Sequence, residues 1–261
     1  MENIFLKDYL ASREISANHK VGNYSKMYAK TNEDLLDAYL DIDFKDKEVF
    51  SVLASSDQVF TARYLDAKKV DAFDINRLTL YYFYLRLWSI KYDDKLYPDM
   101  SDKSNEWLSR LLNKVRPQSG LERRALDFYK LHSIYKTDIE NLFYAVEGQE
   151  EGRTLYTKAD ELKDCTSSDL EFRTLNLFER NAFDDKYDIA LISNILEWAD
   201  NDPEKLENAC ENLDSLLKKD GIIICSDLIY RPPHDIDREQ EIFSKSFDCE
   251  KKGKSYIYRK K

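Results

Sequence analysis

Glycine, proline and histidine are scarce in this 261-residue chain, which has 6 Gly, 5 Pro and 3 His. No Gly-x-Gly-x-x-Gly occurs anywhere, which counts against a nicotinamide-dependent dehydrogenase, and there is no Gly-x-x-x-x-Gly-Lys phosphate loop and no Gly-x-Ser-x-Gly elbow. His19, His132 and His234 are scattered, so a histidine metal triad or a Ser/His/Asp site is not indicated. The four cysteines, Cys165, Cys210, Cys225 and Cys249, show no Cys-x-x-Cys spacing and no neighbouring histidine, so neither a zinc site nor a disulfide framework is expected. No apolar run approaches the roughly 18 residues of a membrane span, and charges interrupt the apolar residues at the N-terminus, so a cytoplasmic protein without a membrane span is expected. The net charge of −10 argues against nucleic acid as a partner. The basic residues at 251–254 and 259–261 read as a solvated hairpin and tail.

What the chain has in quantity is aromatic residues, 13% of the total with 18 tyrosines. These suit either a pocket lining or a core with one wet edge. The length fits one Rossmann-like domain with helical additions. Residues 1–45 read as an N-terminal helical cover, with Thr31 or Asn32 as a cap, in front of a sheet domain over 46–261. A strand over 48–53, a tight polar turn, a helix over 58–65 and a strand over 69–74 form a βαβ unit. A long helix follows over 77–91, and the stretch 93–150 reads as a helical insertion above the ligand-binding edge. Further strands are predicted over 170–175, 187–193 and 222–227, with a helix from Pro203 to about 218 closed by a turn at Asp220 and Gly221. A helix over 236–243 and a hairpin of strands 244–249 and 255–259 close the chain. This is an α/β doubly wound sheet with a reversed last strand, which fits a class I methyltransferase-type sheet better than a plain dinucleotide fold.

In such a sheet ligands sit beyond the carboxyl ends of the strands. The residues there are Ala54, Ser55, Ser56, Asp57 and Gln58 after the first strand, and Asp74, Ile75 and Asn76 after the second. Asn176 and Leu177 follow the third, Ser193, Asn194, Ile195, Glu197 and Trp198 the fourth, and Asp227 and Tyr230 the fifth. Asp57 at the first turn repels a pyrophosphate and suits an ammonium, so a zwitterionic nucleoside is the better match. Asp74 can accept both ribose hydroxyls, Asn176 can address an adenine amino group, and Ile75 or Leu177 can sandwich the base. The same residues also have structural readings: Ser55 or Ser56 can cap the first helix, Asp74 the second, and Trp198 can be pocket wall or core.

The segments 28–34, 51–58, 67–76, 81–85 and 187–198 resemble class I S-adenosylmethionine-dependent methyltransferases, more narrowly a group of bacterial methyltransferase-like proteins. A further resemblance, to 3-amino-3-carboxypropyl transferases that use the same cofactor on diacylglycerol, rests on 56–58 and 193–195. The methyltransferase resemblance implies S-adenosylmethionine as cofactor, with Asp57 facing its amino group, Asp74 the ribose, Asn176 the adenine, Asn194 the sulfonium region and Glu33 nearby. Asn194, Glu197 and Tyr230 are then the candidates for orienting the acceptor, a small or lipid-like molecule, and removing a proton. Where the family reads Gly-Ser-Gly-Asp-Gln this chain has Ala54-Ser55-Ser56-Asp57-Gln58, and Asp66 stands where a third glycine is expected. Such residues must keep φ negative or accept strain, and their Cβ atoms crowd the methionine end of the cofactor. A catalytically silent binding or regulatory module on the same fold is the alternative.

Overall fold

Alternation of apolar residues to both sides of short β-rich runs dictates a sheet covered on both faces, and the computed structural model has one. It describes residues 4–18, 20–98, 106–137, 139–144, 152–184, 186–226 and 236–261. The chain begins with α1 (Ile4–Asn18), a two-stranded ribbon of β1 (Lys20–Val21) and β2 (Tyr24–Ser25), and α2 (Leu35–Tyr39). The first βαβ unit is β3 (Glu48–Val52), α3 (Asp57–Tyr64) and β4 (Lys69–Asp74), followed by α4 (Leu78–Asp93), α5 (Glu106–Lys114) and α6 (Gly120–Ile134). Then come β5 (Phe172–Thr174), β6 (Tyr187–Ser193), α7 (Pro203–Leu216), β7 (Leu217–Ser226), α8 (Ile236–Phe243), β8 (Phe247–Lys252) and β9 (Ser255–Lys260).

The large sheet has the order β5-β4-β3-β6-β7-β9-β8. Its first five strands are parallel, and β9 runs antiparallel to both β7 and β8. Counted within the sheet the order is 3-2-1-4-5-7-6, a Rossmann-like sheet of the class I methyltransferase type with a C-terminal antiparallel hairpin. Strand order reverses between β3 and β6, which puts the ligand crevice at their carboxyl ends.

Successive residues of each strand feed opposite cores. Val49 and Leu53 at β3, with Val70 and Ala72 of β4, face the layer containing α1, α3, α4 and α6, while Phe50, Val52 and Phe73 face the layer of α7 and α8. Every residue of α4 from Leu78 to Ile90 is buried, as expected of a helix apolar all round. Among the described residues no helix is long and apolar enough to cross a membrane.

Three expectations change. The stretch before 45 is not helical throughout, because Gly22 at φ 58° turns the chain into the β1–β2 ribbon. The α2 cap is Asp34, whose side chain accepts from Asp37 N, whereas Thr31 receives Glu33 N on its hydroxyl. Asp220 and Gly221 do not separate α7 from its strand. The chain passes directly from Leu216 into β7, and these two residues form an irregularity within it, with Asp220 at φ 62°. Helices α5 and α6 pack on α4, and α6 also packs on α1.

Candidate functional site

The strand-end rim is crossed by residues 27–36. Met27 pairs with the 142–144 segment through Met27 N to Leu142 O at 2.9 Å and Tyr144 N to Met27 O at 3.0 Å. Farther along, Gly152 N donates to Thr31 O at 3.1 Å and Leu35 N to Arg153 O at 2.9 Å, so residues 152–153 lie as a strap over 31–35. A Cβ added at Gly152 would overlap the carbonyl oxygen of Glu33 and come within 2.7 Å of its N and C atoms, so only glycine allows the strap to lie this close. Arg153 secures the other side through ion pairs with Asp34 and Asp37.

The turn after β3 keeps the backbone of a glycine-rich turn without the glycines. Ala54 has φ 38° and Ser56 φ 73°, the two positions at which the resemblance expects glycine, and Asp66, the third, has φ 61°. Ser56 precedes α3 but its side chain makes no capping bond, and its buried Oγ has no partner among the described residues. Ser55 does not cap α3 either, since its hydroxyl donates to Asp57 at 2.8 Å.

Asp57 is turned into the protein. Fully buried, it pairs with the equally buried Arg86 at 2.9 Å and accepts from Thr31 N at 2.8 Å, Tyr97 Oη at 3.0 Å and Tyr156 Oη at 2.7 Å. Arg86 also donates to Ser55 O at 2.7 Å and lies over the rings of Phe60 and Tyr97. The cation that Asp57 was expected to receive is therefore supplied from within the chain.

A second buried carboxylate at the rim, Glu33, has no cationic partner among the described residues. It accepts from Ser193 Oγ, from Gln58 Nε2 at 3.2 Å and from Ser226 Oγ at 2.9 Å, which gathers the first turn of α3 and the ends of β6 and β7 onto one side chain. Burial raises its pKa to about 7, reinforced by the charges of Asp57 and Glu197 and opposed by the bonds from Ser226 and Gln58. The Gln58 Oε1 is buried without a partner among the described residues. Ser193, from which β6 leaves the sheet, has φ 54°.

Asp74 ends β4 half-buried. Its carboxylate accepts from Ala54 N at 3.1 Å and Asn76 N at 2.9 Å, tying the first turn to the second. Burial pushes its pKa up to about 6, against the lowering effect of those amides. Ile75, 38% exposed, lines an open groove of about 770 Å³ with Leu6, Leu10, Tyr24, Arg77 and Thr174. Asn76 is buried and donates to Ser25 O at 2.9 Å, so it anchors the ribbon.

Asn176 and Leu177 are taken up by the loop after β5. The Asn176 side chain donates to Glu179 at 2.8 Å and accepts from Phe178 N at 3.1 Å, and Leu177 is buried in the α7 core layer. Asn194 is half-exposed, Glu197 is buried, and Trp198 is 46% exposed on the 3-10 turn Ile195–Ala199, so Trp198 is not core. Glu197 borders a cavity of about 10 Å³ with Cys225, Ser226, Glu239 and Tyr256. Asp227 and Tyr230 lie outside the described residues. Sequence reasoning missed Arg86, Ser226, Tyr97, Tyr156 and Gly152. Only Arg86 left a signal, a lone cation in the apolar run 80–90, where a buried charge requires a partner.

No protein-family profile and no curated protein matches this sequence. Among solved structures the chain is similar to a TehB-like SAM-dependent methyltransferase from Corynebacterium glutamicum (9% identity, all of both chains, TM-score 0.43). It is similar also to the N-methyltransferase NodS from Bradyrhizobium japonicum in complex with S-adenosyl-L-homocysteine (8% identity, 97% of this chain and 98% of that one, TM-score 0.38). With TrmN from Thermus thermophilus the identity is 10% and the TM-score 0.40; 83% of this chain is covered, and it spans 45% of that protein's length.

Proposed function

We propose that the chain binds S-adenosylmethionine across the ends of β3 and β4 and transfers its methyl group to a small or lipid-like acceptor. The observation that most supports this is the turn at 54–56, held in a glycine-type conformation by residues that resist it and tied to Asp74 at the end of the neighbouring strand. Left-handed strain at two positions of one turn persists where the surrounding structure over-determines it, and it clusters at ligand sites. The donor set fits a nucleoside carrying an amino acid. Asp74 offers a carboxylate for ribose hydroxyls beside the exposed Ile75 for a base, and the buried acceptors Gln58 Oε1 and Ser56 Oγ have no partner among the described residues.

Bound S-adenosylmethionine supplies an electrophilic methyl group on a sulfonium. The chain's own contribution is to position, to exclude water and to take a proton. The cover formed by residues 1–45 carries Glu33 over the sheet domain of 46–261 and shields the strand ends. Asn194, half-exposed at the end of β6, orients the acceptor, and Glu197 takes its proton. Tyr230, beyond β7 in the chain, is the third candidate for that task.

A second reading, a module that keeps the fold without turnover, is favoured by the Asp57–Arg86 pair, which fills with a side chain the place expected for the cofactor's amino group. Calorimetric titration with S-adenosylhomocysteine separates the two. Binding by the wild type, weakened at least tenfold in Asp74→Asn, is expected for the transferase, and absence of both heat and thermal shift at millimolar ligand rejects it.

A further inference from the structure

We propose that Glu33, and not Asp57, receives the ammonium group of the bound nucleoside amino acid, with the 152–153 strap as the device that positions it. This deepens the reading above and rests on it. Of the two buried carboxylates joined to the first turn and its helix, only one is neutralised. Asp57 has Arg86, whereas the three donors on Glu33 are two hydroxyls and an amide, all neutral. An ionised carboxylate buried without a cation is unfavourable, and a ligand cation is the direct remedy.

The surroundings have acceptors to spare and, among the described residues, no spare cation. Gln58, which donates to Glu33, leaves its Oε1 unpartnered, and Ser56 Oγ is unpartnered at the start of the same helix. An ammonium brings three donors and no acceptor, which is what this set lacks. The charged and titratable groups facing Glu33 are Asp57 from α3, already paired with Arg86, Glu197 from the turn after β6, and the Tyr39 hydroxyl from α2. On its own segment Asp34 is held by Arg153. The pKa of about 7 then makes binding of the cation depend on deprotonation of Glu33.

The test is calorimetric titration between pH 5.5 and 7.5, below the range in which the ligand's amino group loses its own proton. S-adenosylhomocysteine is compared with methylthioadenosine, which keeps the nucleoside and thioether but lacks the amino acid. S-adenosylhomocysteine affinity relative to methylthioadenosine is expected to fall about eightfold from pH 7.5 to pH 6, as a group with pKa near 7 goes from about one-quarter to about nine-tenths protonated. Methylthioadenosine keeps only the change that Asp74, raised to about 6, imposes through the ribose common to both ligands, so the Glu33 effect is read in the ratio of the two affinities. Glu33→Gln should remove the slope of that ratio. Gly152→Ala, which alters no ionisable group, should weaken S-adenosylhomocysteine while leaving methylthioadenosine unchanged. A flat affinity ratio for the wild type, or a Glu33→Gln ratio with the wild-type slope, overturns the assignment and leaves the functional reading standing. If neither ligand binds at any pH, both fall together.

Discussion

Replacing Ser56 by glycine should stabilise this protein, although serine-to-glycine exchange in a buried turn ordinarily does the reverse. Ser56 sits at φ 73° and ψ −1°, where a Cβ crowds the backbone and costs about 1–2 kcal/mol. Its buried hydroxyl has no partner among the described residues, and leaving such a group unsatisfied costs about 1–3 kcal/mol more. Against this, glycine gives up about 0.5–1 kcal/mol of backbone entropy on folding, and the void left by the lost side-chain atoms costs about 1 kcal/mol. The balance is a gain centred on ~2 kcal/mol, which corresponds to about 4 °C in Tm for a chain of this size. Urea denaturation of Ser56→Gly beside Ser55→Gly gives the comparison its sign. Ser55 is equally buried but has no positive φ, and its hydroxyl donates to Asp57, so glycine there should destabilise by about 1–3 kcal/mol. Equal destabilisation by the two variants would refute the claim that strain and an orphaned hydroxyl reside at Ser56.

Arg86→Leu should lose about 3–5 kcal/mol in chemical denaturation, because it strands Asp57 as an uncompensated buried charge; a loss under about 1 kcal/mol would mean that the pair is not the anchor of the turn. Glu33 titrates near 7 when folded against 4.5 as its ordinary value, so the folded state holds its proton more tightly. Its contribution is complete below pH 4.5 and is lost as the pH rises through 7, about 3 kcal/mol in all. Glu33→Gln escapes that loss, so its stability relative to wild type should rise between about pH 5 and pH 8 in urea melts, and a constant difference would contradict the burial of an ionisable Glu33. Asp74, raised in the same direction, gives the wild type a further slope of that sign, which Asp74→Asn should remove.

The sheet was legible because its strands are short apolar runs whose two faces both meet helices, so the runs at 48–53, 69–74 and 187–193 match β3, β4 and β6 closely. The reversed last strand followed from a hairpin turn at Gly253. Side-chain direction in the loops was not legible. Asn176 and Leu177 stand at a strand end in sequence, but local bonds to Glu179 and Phe178 turn one into the loop, and the other completes the α7 core. Long-range partners were equally hidden. That Glu33 reaches Ser226, 193 residues away, requires knowing that β7 lies beside β6 and that residues 31–35 lie across both. The period of β7 gave no warning that Asp220 and Gly221 interrupt it from inside.

The glycine-poor turn shows how the fold and the motif are related. Only residues 53–56 join β3 to α3, and within them Ser56 N bonds Leu53 O and Ala54 N bonds Asp74, so the left-handed values follow from a sharp reversal between a parallel strand and its helix. The other end of α3 obeys the same rule. Asp66 N bonds Arg63 O and Ala67 N bonds Ala62 O, the paired closure of a Schellman motif, which requires a left-handed residue at Asp66 whatever its side chain. Glycine is thus the residue best suited to these three positions, and the topology imposes their backbone conformation with or without it. What the substitutions change is the volume at the rim, where two added side chains stand beside an acid already neutralised by Arg86. A carboxylate delivered by the cover, Glu33, is then the acid beside this turn proposed to receive a cation from outside. If that division of labour holds, placing glycine at both positions of the first turn, as the double variant Ala54→Gly with Ser56→Gly, should tighten S-adenosylhomocysteine without moving the pH dependence that belongs to Glu33.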